Sequence, residues 1–297
     1  QNLKILIRQQ MSEDRLTTEE KALNINLTSD IYGCFAEIGA GQEVAANFFK
    51  AGGSSGTIAF TRSAYDMKVS DSMYGAASRY VCEERLETML TAEYDSLKAI
   101  LPTKNKEARF FAFCNTVEAL NYHKTNQGHG WIGIRFQRTL GGRSNDIILH
   151  VKLHDNSHKS QQDSLGILGV NLIHAAFFHC TDIDDFITSL VMRLPRDRME
   201  IDMLRFSGPD FEDIDNRVVA LNLVKRGITD ATMFDLAKNV LQVCGVDALG
   251  KVVFNKSLSR EKFLPWCSAE LEPGCVVAME ACSGSHFWAR ELIKRGF

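Results

Sequence analysis

Residues 233–253 read MFDLAKNVLQVCGVDALGKVV. An aspartate, Asp235, follows an apolar pair, and a short polar step leads into the β-rich run Val-Leu-Gln-Val. A tight connection with Gly245 and Asp247 follows, and GKVVFNKSL is the partner strand. The alternation of apolar and polar residues around a Gly-containing connection predicts a β-hairpin. Ser259 is placed to cap a helix that starts SREKFLPW, with Glu261 and Lys262 in its first turn. Pro273-Gly274 breaks the chain, CVVAMEA is a short apolar strand carrying Glu280, and SGSHFWARELIKRGF closes as a helix. The order strand, strand, helix, strand, helix begins here afresh, which predicts a boundary between residues 1–232 and 233–297.

Upstream the pattern is that of a mixed domain. Residues 1–30 are polar and helix-prone, and Met11 is a candidate internal start in a chain that begins with Gln1. GQEVAANFFKAG predicts a short helix stopped by glycine. SAYDMKVSDSMYG reads as loop, and RLETMLTAEYDSLKAIL has helical spacing. RFFAFCNTV, WIGIRFQR and DIILHVKLH are aromatic and β-branched strand candidates, and MEIDMLRFSG is a fourth. QQDSLGILGVNLIHAAFFH, DDFITSLVMRL and DNRVVALNLVKRG predict helices, the last ending at Gly227. The fold class expected is therefore α/β, with a mixed α+β arrangement in the first part.

Composition narrows the setting. The chain has 297 residues, 45% hydrophobic, with 24% charged and a net charge of −3. That excludes a disordered or polybasic chain and provides for sizeable cores. No run approaches the ~18 apolar residues of a membrane span. The eight cysteines are scattered without a CxxC pair, which points to reduced thiols in the cytoplasm.

Several residues invite chemistry. Gly39 and Gly41 in EIGAGQEVA precede a helix whose first amides could receive phosphate. The dinucleotide fingerprint fails there, because its third glycine falls on Val44 and no clean apolar strand leads in. AGGSSGT, with Gly53, has no P-loop lysine. A structural turn is the plainer reading of both, and a phosphate nest at Gly39, Gly41 and Gly53 is the functional one. Glu37, Asp66 and Asp71 are candidate site acids of unfixed geometry. His123 and His129 sit in a polar loop with Gly128 and Gly130 and could act as acid or base. His150, His154 and His158 are spaced for one helical face, but lie where strand and loop are expected, against a zinc site. His174 and His179 fall in an apolar helix and read as packed.

Asp235 and Glu280 stand 45 positions apart, near strands that could share a sheet. Clustered carboxylates at strand ends can hold two divalent ions about 4 Å apart for phosphodiester chemistry, although such acids are more often simply solvated. The wording of the segment goes further. The D-L-A-K-N-V step from Asp235, G-V-D-x-x-G-K-V-V from Gly245, L-S-R-E-K-F from Leu258 and A-M-E-A-C-x-x-x-H-x-W-A-R-E-L from Ala278 resemble the start of DEDD-type insertion-sequence transposases. That is the RuvC-like family that includes the Piv-type DNA invertases. The resemblance runs from about Asp235 to Phe297. It implies a partial RNase H-like (RuvC-like) α/β fold, DNA as partner, and Asp235 and Glu280 as the first two metal-ligating, catalytic carboxylates, with Mg²⁺ as the ion. The family has Gly-Ile where this chain has Met233-Phe234, and its other two acids fall beyond Phe297. A truncated, inactive transposase domain is therefore expected. Residues 232–297 carry eight Lys/Arg and seven Asp/Glu, no electrostatic footprint for strong DNA binding. Trp288 reads as core and Arg290 as a surface cation.

The first part also resembles a family. IYGCFAEIGAGQEVAANFFKAGGSSGTIA, SAYDMKVSDSMYG, GHGWIGIRFQ, LGILGVNLIHAAF and RFSGPDFEDIDNR, within roughly residues 16–233, are similar to a widespread bacterial family without an assigned activity. Its members carry names such as TonB-dependent receptor or nicotinate-nucleotide adenylyltransferase. Neither name fits: there is no outer-membrane strand pattern, and the adenylyltransferase H-x-G-H motif is missing. The expectation is a fusion, with a junction near Met233–Asp235. The alternative is a cytosolic nucleotide- or small-molecule-binding enzyme housed in residues 1–232.

Overall fold

The computed structural model describes residues 16–100, 107–232, 240–246, 252–271 and 292–296. The expectations for Met11, Asp235, Asp247, the CVVAMEA strand with Glu280, and most of the closing helix with His286, Trp288 and Arg290 lie outside them. The chain clusters into two compact units, 1–232 and 233–297. The fold is mixed α/β.

The first unit is built on a six-stranded sheet of order β2-β1-β3-β4-β5-β6. Its strands are β1 (Ile31–Gly39), β2 (Ile58–Ser63), β3 (Arg109–Glu118), β4 (Gly128–Gln137), β5 (Ser144–Leu153) and β6 (Met199–Ser207). β2, β1 and β3 run parallel, and β3 to β6 form an antiparallel meander. The helices are α1 (Thr18–Leu27), α2 (Glu43–Ala51), α3 (Met67–Tyr74), α4 (Glu83–Ile100), α5 (His158–Phe178), α6 (Ile183–Leu190) and α7 (Asn216–Lys225).

Alternation along the strands builds two cores on opposite faces. Phe35, Phe111, Phe113 and Val117 pack with Val44 and Phe48 of α2 and with the buried length of α5. Cys34, Phe110 and Ala112 pack with Tyr94 and Leu97 of α4. The crossover from β1 to β2 therefore carries α2 on one face. The connection from β2 to β3 carries α4 on the other. α5 reads as nearly all apolar because it is buried along most of its length, from Gln161 to Ala176.

Two elements differ from expectation. A strand does lead into EIGAGQEVA: β1 sits between β2 and β3 and is almost wholly buried. Gly33 hid it, and that glycine is required, since a Cβ there would lie 2.2 Å from the Phe111 ring. The segment read as loop contains α3, whose N-cap Asp66 accepts from the amides of Lys68 and Val69.

In the second unit β7 (Val240–Val246) and β8 (Val252–Ser259) form an antiparallel pair with a register shift between Gly245 and Val246. α8 (Arg260–Glu270) begins directly after Ser259 and contains Pro265. Phe263, Cys267 and Leu292 make its buried cluster. Among the described residues no helix is long and apolar enough to cross a membrane, and Cys34, Cys82, Cys114, Cys180 and Cys267 are free thiols.

Candidate functional site

In an open sheet with parallel strands, a crevice forms outside the carboxyl ends of two neighbours whose connections leave in opposite directions. β1 and β3 are such a pair. β1 is followed by β2 on one side, and β3 lies on the other. A cleft of about 360 Å³ opens there. Ile38, Gly39 and Ala40 from the end of β1 and Val117 to Asn121 from the end of β3 line it, with Tyr65, Val81, and His158 and Gln162 of α5.

The loop at the cleft floor is held by its glycines. Gly39 has φ +79° and Gly41 φ +125°, both suited to glycine. A Cβ on Gly39 would meet the Val117 carbonyl oxygen at 2.1 Å, and one on Gly41 would meet Asn115 Nδ2 at 2.2 Å. The Ala40 amide donates to the Val117 carbonyl (3.2 Å) and the Gly41 amide to Gln162 Oε1 (2.9 Å). Gln42 donates from Nε2 to the Gly39 carbonyl (2.7 Å) and accepts from Gln162 Nε2 at Oε1 (3.2 Å). The two glutamines thus clasp the loop against α5. The Ala40 and Gly41 amides already have protein acceptors, so the glycines serve close approach more directly than phosphate capture. Gly53 is not part of this loop. It follows the opposite end of α2, roughly 13 Å away along a nine-residue helix.

Two buried polar groups lie beneath the loop. Glu37 and Asn115 pair across β1 and β3 and share a face. Burial pushes the Glu37 carboxyl up to about 7, against a hydrogen bond from Ser63 that pulls it down. Asn115 is 2% exposed and its Oδ1 has no hydrogen-bond partner. Of the other acids nominated from sequence, Asp66 caps α3 and Asp71 accepts from Tyr80 and Arg85.

A second polar group adjoins the cleft wall at Glu118. Register places Glu118, His129, Lys152 and Glu200 in one row across β3 to β6, and Trp131 and His150 in the next. His129 Nε2 is 4.0 Å from Glu118 Oε2, and His129 Nδ1 is 3.2 Å from His150 Nε2. His150 Nδ1 is 2.6 Å from Asp202 Oδ1, and Lys152 Nζ is 3.0 Å from Asp202 Oδ2. Burial works to raise the Asp202 carboxyl. The hydrogen bonds from His150 and Lys152, with the Lys152 charge, outweigh it and hold the group below the usual carboxylate range. Burial, followed by the neighbouring His150, pushes the His129 imidazole below its ordinary value. Trp131 lies against His150 at 4.9 Å between ring centroids.

The sequence placed His129 in a loop with His123. It is the second residue of β4, while His123 is exposed beside Tyr122. His154 Nε2 pairs with Glu200 Oε2 at 3.4 Å, and His158 starts α5 at the cleft. The three histidines spaced by four therefore go to three different jobs. Among the described residues no group of three or more His, Cys, Asp or Glu is arranged to hold a metal ion. Asp202 went unnoticed because only the β5–β6 register brings it to His150.

A larger hollow of about 440 Å³ lies by β6, walled by apolar residues with Arg193, Arg196 and Arg226. Arg196 is paired with Asp230 and Arg226 with Asp184. We favour the smaller cleft as the site, because it sits at the strand crossover, with Glu118 and His158 among its lining.

No family model matches the chain. A 62-residue segment is similar to insertion-sequence transposases. It is 42% identical to the transposase for insertion sequence element IS1111A of Coxiella burnetii, covering 21% of this chain and 16% of that protein. It is 48% identical to a probable family 20 transposase of Pseudomonas aeruginosa, covering 21% and 18%. The chain thus spans less than a fifth of the length of the curated relatives it matches. Two solved structures align at a TM-score of 0.34. One is the competence/damage inducible protein CihA from Agrobacterium tumefaciens, at 16% identity over 52% of this chain and 88% of that one. The other is a competence-damaged protein (CinA) superfamily protein from Escherichia coli, at 10% identity over 60% and 91%.

Proposed function

We propose that residues 1–232 bind a neutral or cationic, hydrogen-bonding small molecule of about nucleoside size in the cleft at the ends of β1 and β3. The observation that carries this reading is the position of the cleft, at the point where the β1 and β3 connections diverge. Its volume suits a small ligand. Its walls narrow the class. Glu118 lines it, its lining among the described residues contains no Lys or Arg, and His158 and Tyr65 offer hydrogen bonds beside Gln162, which holds the loop. A polyphosphate would find no countercharge there. Of the nucleotide reading, the base-and-sugar part is thus retained. Gly39 and Gly41 shape the floor, and Gly53 stands apart.

The test is a thermal-shift panel of nucleosides, amines, nucleotides and inorganic phosphate on the full chain and on Gln162→Leu. A ligand at one hundred times its Kd stabilises by about 2.7 kcal/mol. Stabilisation by uncharged or cationic compounds that is lost in Gln162→Leu supports the reading. Stabilisation by polyphosphates alone, or by nothing, removes it.

The transposase similarity favours a second role. We read the 62-residue match as the second unit, residues 233–297, which is of nearly that length. In this reading it is part of a DEDD-type, RNase H-like domain. Its Asp235 and Glu280 are carboxylate ligands for Mg²⁺, and DNA is the partner. The chain is then a fusion of two units with separate functions. Hard oxygen ligands suit Mg²⁺ or Mn²⁺. Mn²⁺ titration followed by electron paramagnetic resonance should detect a site in the full chain that Asp235→Asn and Glu280→Gln each weaken. Equal binding in all three proteins would remove both residues as ligands.

A further inference from the structure

We infer that His129 is a general base beside the cleft wall at Glu118, with its Nε2 lone pair fixed in place by Asp202 acting through His150. The inference rests on the reading of the cleft as a ligand site, and its argument is one of hydrogen-bond bookkeeping. The Asp202 carboxylate can only accept, so the 2.6 Å contact requires a proton on His150 Nδ1. With His150 neutral, its Nε2 is bare and accepts at the 3.2 Å contact. His129 therefore carries its proton on Nδ1 and donates it to His150. That leaves His129 Nε2 without a proton, on the side of Glu118, which lines the cleft.

Free histidine keeps its proton on Nε2 by preference, so the chain forces the less common tautomer. Asp202 and His150 are 3% and 8% exposed, and Trp131 covers the His150 ring. The two are positioning residues held in a dry setting. His129 is the outlet, with its side chain 30% exposed. The step it suits is removal of a proton from a water or a ligand hydroxyl at the cleft mouth. The O–H bond breaks, the N–H bond forms at Nε2, and the imidazolium pairs with Glu118. Arg79 and the far charge of Asp202 also act on the ring, in opposite directions. This is the arrangement by which a carboxylate orients a histidine base in known catalysts, here extended by one imidazole.

The experiment needs no ligand, so its failure is separable from failure of the cleft reading. Long-range ¹H–¹⁵N spectra of the full chain with labelled histidine report which ring nitrogen bears the proton, and His129→Gln identifies the His129 signals by their loss. The expected result at neutral pH is a protonated Nδ1 and an unprotonated Nε2 on His129. Asp202→Asn should reverse it. Lys152 sits 3.0 Å from the second oxygen and will hold the amide carbonyl, turning the NH₂ toward His150. Each ring then switches tautomer, and His129 Nε2 becomes N–H. A second readout is acylation by diethyl pyrocarbonate, which needs an unprotonated nitrogen: His129 should react in the native protein and lose reactivity in Asp202→Asn. If Asp202→Asn does not fold, the native tautomer alone decides. A His129 that carries its proton on Nε2 in the native protein overturns the inference.

Discussion

Lys21 and His150 are both nearly inaccessible, at 1% and 8% exposure, and both sit in buried polar groups of the first unit. They differ in how those groups end. The Lys21 ammonium has three protons and three acceptors: Asn171 Oδ1 at 2.9 Å, the Ser189 carbonyl at 2.9 Å and Ser189 Oγ at 3.0 Å. Asn171 in turn donates to the carbonyls of Leu190 and Met192. The knot ties α1, α5 and the end of α6, and every proton of the ammonium is used inside it. Burial, with Arg193 nearby, pulls the lysine down to about 8, and no carboxylate offsets it. The His150 group runs from a buried carboxylate outward to a half-exposed imidazole and a surface acid. A closed group can only hold the fold together. An open one has somewhere to send a proton.

Breaking the closed group should cost most. Asn171→Ala removes one of the three acceptors of the Lys21 ammonium and the donor to two carbonyls. Each buried polar group left without a partner costs about 1–3 kcal/mol, so a loss of about 3–4 kcal/mol is expected in urea denaturation. The His129 tautomer should not change. A loss below about 1 kcal/mol would mean that water enters and satisfies the group, and the contrast with His150 would weaken.

Glu37 tests the same contrast through pH. Its folded value is about 7 against an ordinary 4.5, so the native state holds the proton more tightly than the unfolded chain. The stabilisation is full below about 4.5 and is lost as pH rises through 7. A shift of that size amounts to a loss of about 3 kcal/mol. Glu37→Gln should flatten this part of the stability curve, measured by denaturation at pH 4.5 and pH 8. If the wild-type and variant curves keep the same difference at both pH values, Glu37 is not a proton-holding group.

These residues were legible in the sequence to unequal degrees. The strands β3 to β6 and helices α2, α4, α5, α6 and α7 announce themselves by period and by capping residues. β1 does not, because Gly33 and Glu37 interrupt its apolar run for reasons that lie on β3. Gly33 makes room for Phe111, and Glu37 faces Asn115. The glycines of the cleft floor could be read as a special loop, since left-handed backbone needs them. Their function could not, because it depends on which acceptors the Ala40 and Gly41 amides find. The histidine chain was half visible. His129 and His150 stood out as titratable groups, but their partners are set by strand register, and Asp202 lies fifty-two residues from His150. Spacing by four suggests a helix face. Here the same spacing puts His150 on β5 and His154 one residue past its end, each with a different acid of β6.

The cleft floor gives a smaller effect. Gly41→Ala places a methyl against Asn115 and imposes φ +125° on a residue with a side chain. The expected cost is about 1–3 kcal/mol, together with loss of any ligand stabilisation seen in the native protein. Retained ligand binding with reduced stability would place the ligand elsewhere than against this loop.

The smallest change in stability is expected at the open end, and that makes it the most discriminating. Glu118 is half exposed and 4.0 Å from His129 Nε2, so Glu118→Gln should alter stability by no more than ~0.5 kcal/mol. Its charge favours the imidazolium, and its removal should therefore lower the His129 pKa further, read by NMR titration. The tautomer should stay as it is, because that is set from the other end by Asp202. A closed structural group would respond in the opposite way, losing stability with no titrating outlet to report it. If Glu118→Gln leaves the His129 titration unmoved, the chain does not communicate with the cleft wall. The His150 group would then belong with Lys21 among the contacts that only hold the fold.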